Sequence, residues 1–144
     1  MAKITGLGGV FYKVKDPAAT KAWYEEKLGI GGECAAAYLE SLHLADGLPF
    51  AFEQRWVNLV AVPAFDHADF GQLSANEWLV RTVPFSRGEV ALSATAADAR
   101  LAAMLGAQPG AALFTMDRAT WFDGSPVTAT TLYYAPGYEL AFAI

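Results

Sequence analysis

The sequence predicts an α+β domain with a largely antiparallel sheet and helices packed against one face. Three observations lead there. Short apolar strands alternate with helix starts, an Asp-Gly dipeptide sits between two long strand-like runs, and the order strand, helix, hairpin occurs twice. The chain has 144 residues, 54% hydrophobic and 17% charged. That supplies enough apolar surface for one well-filled core, so a single domain spanning 1–144 is expected.

The elements follow in order. "GGVFYKV", residues 8–14, reads as a strand. Asp16 and Pro17 then mark a helix entry, with Asp as N-cap and Pro at the first helical position, where its missing N–H costs nothing. The helix that follows brings Ala19, Ala22 and Trp23 to one face and stops at Gly29. Residues 35–45 and 48–62 read as strands joined at Asp46-Gly47, because both central residues of a type I′ turn need positive φ. Pro63 closes that arm. Ser74 and Glu77 stand in capping-box spacing ahead of a short helix in "SANEWLVRT".

After Pro84 the pattern resumes. Leu28-Gly29 recurs as Leu105-Gly106, Asp46-Gly47 as Asp123-Gly124, and Pro49 as Pro126, each 77 positions on. Three landmarks at one offset predict two pseudo-repeated β-α-β-β units, roughly 6–62 and 86–143, and paired units often form a pocket at their junction.

Composition excludes several classes of function. The net charge is −5 and the ten Lys and Arg form no basic run, so no direct nucleic-acid binding by this chain is expected. One cysteine, Cys34, excludes an internal disulfide framework and a multi-thiolate zinc site. No stretch reaches membrane-spanning length and no signal-peptide core opens the chain, which predicts a cytoplasmic protein with no membrane contact.

Glu53 and Arg55 stand out, since they interrupt the apolar run "LPFAFEQRWVN". A flat two-residue hairpin at Asp46-Gly47 sets Glu40 opposite Glu53 and Tyr38 opposite Arg55 on one face. Thr130 and Leu132 occupy their places in the second unit, so the charges are not demanded by the repeat. They are either a rim ion pair on a solvated face or a ligand-reading cluster.

From about residue 37 onward the sequence resembles the UTRA effector-binding domains of bacterial transcription regulators, in particular histidine-utilisation repressors. The stretches carrying the likeness are "LHLADGLPFAFEQRWVN", "ADFGQLSANEWLVRTVPF", "ATWFDGSPVTA" and "YAPGYEL". The opening "GLGGVFYKVKDPAATKAWYEEKLGI" resembles instead the start of a glyoxalase or vicinal-oxygen-chelate domain, so residues 1–33 are expected to be an equivalent strand and helix built into the frame of a chimera.

The UTRA resemblance implies the chorismate-lyase fold, a homodimer, no cofactor, and a sensor without its winged-helix DNA-binding part. It implies a urocanate-like imidazole carboxylate as effector. Such a ligand needs a cation, polar partners for ring nitrogens and flat apolar walls. Arg55 or Arg81 would supply the first, Glu53 the second, and Trp56, Tyr133 or Tyr134 the third. Asn76 is carried over on its motif position, with His43 and Thr128 as additions. Each has a structural alternative: Asn76 as an exposed first-turn residue, His43 as a border histidine, the tyrosines as core. Glu77 is set aside as part of the capping box. The alternative is a glyoxalase/bleomycin-resistance-type metal-dependent enzyme or binding protein. Only His43 and His67 are available as histidine ligands, and no nucleophile and base stand in recognisable order, so binding is expected rather than catalysis.

Overall fold

The computed structural model describes residues 7–14, 35–70 and 73–144. The predicted helix from Pro17, its stop at Gly29, and Cys34 lie outside the described residues. Six strands form one sheet: β1 (Leu7–Val14), β2 (Ala36–Ala45), β3 (Leu48–Asn58), β4 (Arg87–Ala96), β5 (Ala112–Phe122) and β6 (Ser125–Tyr134). Their spatial order is β1-β2-β3-β6-β5-β4, with every neighbouring pair antiparallel.

Both Asp-Gly dipeptides make the expected turns. Asp46 and Gly47 have φ of 51° and 76°, and Asp123 and Gly124 have 49° and 78°, the left-handed pair that a type I′ hairpin needs. The repeat runs deeper than these landmarks. In the first hairpin Leu44 faces Pro49 but His43 faces Ala51, leaving Phe50 as an extra residue. In the second, Trp121 faces Pro126 but Thr120 faces Thr128, leaving Val127. Phe50 and Val127 are again 77 positions apart, so each unit carries the same bulge. At the sheet centre Gln54 pairs with Thr131, also 77 apart, which places the pseudo-two-fold axis between them.

The bulge corrects the expected pairing. Ser41, not Glu40, faces Glu53, and Leu39, not Tyr38, faces Arg55. Because side chains alternate, a one-residue slip moves a whole strand's set to the opposite face. Tyr38 and Glu40 therefore lie on the other side of the sheet from Glu53 and Arg55. There the Tyr38 hydroxyl donates to Glu40 Oε1 at 2.6 Å, and Arg100 Nη1 donates to the same oxygen at 3.0 Å.

Two α-helices are described. α1 (Ala75–Thr82) begins as expected at Ser74, whose Oγ accepts the Glu77 backbone N–H at 3.1 Å. α2 (Ala99–Leu105) begins at Asp98, whose carboxylate accepts from the Leu101 N–H at 2.8 Å, and closes on Gly106 at φ 63°. They pack on opposite faces, which corrects the expectation of helices on one. α1 and a 3-10 turn at Pro63–His67 cover Leu39, Val57 and Val62, through Phe65, Ala75 and Leu79. α2 covers Phe52 and Leu113 through Leu101, Ala102 and Leu105. The reason lies in β3, which buries Phe52 on one side and Val57 on the other. A central strand apolar on both faces needs cover on both.

Candidate functional site

The site grows from the centre of the sheet on the α1 face. β3 places Arg55 opposite Thr130 of β6, and Thr130 lies opposite Arg118 of β5, so Arg55, Thr130 and Arg118 form one row across three strands. Arg55 is fully buried, at 0% exposure. Its Nε donates to Glu53 Oε2 at 3.2 Å and its Nη2 to Glu53 Oε1 at 2.9 Å. Nη1 donates to Thr128 Oγ1 at 3.3 Å, and Nη2 also reaches Asn76 Oδ1 at 3.3 Å. Thr128 passes its own proton to the Trp56 carbonyl at 2.6 Å. The guanidinium fork is thus held on three sides, by a carboxylate, a hydroxyl and an amide oxygen.

Arg118 is placed differently. Its Nη2 donates to the same Asn76 Oδ1. No carboxylate stands within ion-pair distance of it among the described residues. Two guanidiniums converge on one neutral oxygen, carried by the first turn of α1. Beside them opens a cavity of about 320 Å³, with Arg55, Arg118, Asn76, Thr120 and Thr128 as its polar lining and Leu79, Val80, Val83, Phe85 and Val90 among its apolar walls.

Electrostatics agree with this geometry. Burial by itself pushes the Glu53 carboxyl up, but the Arg55 charge and the two Arg55 hydrogen bonds outweigh it and hold the group far below the usual carboxylate range. Glu53 is therefore an anion that neutralises Arg55. Arg118 is shifted downward, first by burial and then by repulsion from Arg55. An arginine does not lose its proton in a protein, so the shift measures an unfavourable placement for a cation. With two guanidiniums and one carboxylate, the row keeps one uncompensated positive charge.

Of the residues singled out in the sequence, Glu53, Arg55, Asn76 and Thr128 come together. His43 stands at the edge of the cluster, its Nε2 at 3.8 Å from Glu53 Oε1, beyond hydrogen-bond reach. Arg81 does not join them: it is 64% exposed and bridges to Glu77 one turn back at 2.6 Å. Tyr133 lies on the opposite face, packed into the α2 core, where burial raises its phenol. Trp56 is on that face too, with its ring 4.8 Å from Tyr38. Tyr134 alone of the expected aromatic walls shares the arginine face, among Phe50, Phe114 and Tyr138. Arg118 was not anticipated. Ser41 Oγ and Thr130 Oγ1 are buried on this face without a hydrogen-bond partner. No group of three or more His, Cys, Asp or Glu among the described residues could hold a metal.

Residues 15–137 match the UTRA domain family. This chain belongs to the UTRA family. Relatives of the UTRA domain include the histidine utilization repressor of Pseudomonas putida, 29% identical over 96 residues, which are 67% of this chain and 38% of that protein. The matched stretch thus spans well under half the length of this curated relative. Among solved structures, the C-terminal domain of histidine utilization repressor from Pseudomonas syringae pv. tomato str. DC3000 superposes with a TM-score of 0.78 at 21% identity, covering 99% of this chain and 96% of that one. The effector domain of PhnF from Mycobacterium smegmatis gives 0.75 at 18% identity, covering 96% and 87%. These likenesses establish the fold. The UTRA domain is an effector-binding domain of the kind transcription regulators carry, and not an enzyme.

The UTRA match begins at residue 15, inside the stretch that resembles a glyoxalase opening. The expected break near residue 33 and the chimera it implied therefore find no support. Residues 15–34 themselves lie outside the described residues. No helix among the described residues is long and apolar enough to cross a membrane.

Proposed function

We propose that this UTRA domain senses a small, flat carboxylate of the urocanate-like imidazole class in the cavity under α1, as the sensor of a cytoplasmic, homodimeric histidine-utilisation-type repressor. One observation carries the reading: Arg55 and Arg118 converge on Asn76 Oδ1, and the one carboxylate bonded there, Glu53, is paired to Arg55. A ligand carboxylate beside Arg118 would supply the missing negative charge, in a cavity where burial strengthens the attraction. The apolar walls from Leu79 to Val90 suit a thin ring. Asn76 and Thr128 offer polar atoms to ring nitrogens. The curated relative's name, histidine utilization repressor, agrees with an imidazole-bearing ligand.

The test is calorimetric titration of the folded chain with urocanate, imidazole-propionate and 4-methylimidazole. The first two should bind and the third, lacking a carboxylate, should give no heat. Equal binding of all three would remove the carboxylate from the account. Light scattering should return twice the 15.4 kDa chain mass, and a monomer at micromolar concentration would contradict the dimer.

A further inference from the structure

The charge balance of the row says more about the ligand than its size does. Arg55 is neutralised within the protein: both of its Glu53 contacts are made by a buried carboxylate 3% exposed. Among the described residues Arg118 bonds only the Asn76 amide oxygen, shared with Arg55. Between them in register lies Thr130, 0% exposed, whose Oγ1 has no hydrogen-bond partner. Such a group is costly to bury and is usually met by water or a ligand.

We infer that Arg118 is the specificity-determining residue of the cavity and that the cavity accepts a head group carrying one negative charge, discriminating against both neutral and doubly charged analogues. This rests on the reading of the cavity as the effector site and narrows it. A monoanion brings the cluster of Arg55, Arg118 and Glu53 to zero net charge. A neutral head leaves Arg118 buried and unpaired. A dianion leaves one negative charge in the same half-buried setting, where Glu53 already carries its own. Burying an unpaired charge is unfavourable with either sign.

The test uses shape-matched probes and so does not depend on the natural effector. The intact chain is titrated at pH 8.5 with benzoate, benzamide, benzenesulfonate and phenylphosphonate. The first and third are monoanions, the second is neutral, and the fourth is a dianion with the tetrahedral head of the third. Benzoate and benzenesulfonate should each bind at least tenfold more tightly than benzamide and phenylphosphonate. Arg118→Gln should erase that preference, and Arg118→Lys should restore part of it. Glu53→Gln adds one positive charge to the row and should turn the preference toward phenylphosphonate. If either substitution prevents folding, the ranking in the unaltered chain still decides. Binding of phenylphosphonate as tight as benzenesulfonate, or no binding of any anion at millimolar concentration, overturns the inference. Urocanate failing where benzoate binds would overturn only the imidazole assignment.

Discussion

Replacing Arg55 by leucine would test the structural half of this account most sharply. Arg55 is fully buried and fills three hydrogen-bonding roles at once, so its loss leaves the Glu53 carboxylate in the sheet centre without its cation. Breaking a buried ion pair by removing one member costs about 3–5 kcal/mol. A domain of this size has roughly 5–15 kcal/mol in all. The variant should therefore fold but unfold at much lower urea at pH 8.

The pH dependence supplies the discriminating sign. In the parent chain Glu53 has a depressed folded-state pKa, so its stabilisation is fully present above the unfolded value and is lost only as the pH falls far into the acid range. Without Arg55, burial dominates and pushes the carboxyl above its unfolded value. Its folded form then favours the proton, so the variant regains stability as the pH falls from 8 toward 5, and the deficit shrinks toward the roughly 1–3 kcal/mol of unsatisfied polar groups. Urea unfolding followed by tryptophan fluorescence at both pH values measures this. A deficit below about 1 kcal/mol at pH 8, or one unchanged at pH 5, would refute the reasoning. The double variant Glu53→Leu/Arg55→Leu should recover most of the loss, since an apolar replacement of a buried pair is often neutral.

Gly106→Ala should cost about 1 kcal/mol in thermal or urea unfolding, because the α2 C-cap sits at φ 63° and no neighbouring atom blocks a Cβ there, which isolates the backbone term. Arg100→Ala should cost less than about 1 kcal/mol at neutral pH despite its two contacts with Glu40, because Arg100 is 58% exposed and solvent screens the pair. The Tyr134 phenol, raised by burial and by Tyr138, should ionise only at about 12 in a spectrophotometric titration, and ionisation near the ordinary value would place it in open solvent.

Much of the architecture was legible in single residues. The two Asp-Gly turns, the Ser74 cap and the Leu105-Gly106 stop are local signals whose physics does not depend on the rest of the chain. The 77-residue offset joined them into a two-unit frame. What escaped was the bulge. Phe50 and Val127 look like ordinary alternating strand residues, and nothing local marks either as the extra one. Their insertion exchanged the faces of β2 and β5 relative to their partners. A flat second hairpin would pair Arg118 with Ala129 and turn it away from Arg55; the bulge pairs it with Thr130 and brings the two guanidiniums together.

The available signal for Arg118 was its chemistry, a lone arginine inside the apolar run "ALFTMDRATWF". Arg81 stands apart for the opposite reason: a motif position cannot say which side of an eight-residue helix faces the sheet. Asn76, on the same helix, does face it. Trp56 and Tyr133 lie on the other face because each is next in sequence to a residue of the arginine face, and alternation carries it across.

The central claim is that a ligand's negative charge is held by Arg118 in the cavity under α1. A crystal structure of the chain grown with a monocarboxylate that binds in solution tests it directly. A carboxylate oxygen is expected within hydrogen-bond distance of the Arg118 guanidinium, beside or in place of Asn76 Oδ1. A carboxylate bound on the Glu40 and Arg100 face, or one in the cavity but turned away from Arg118, would contradict it.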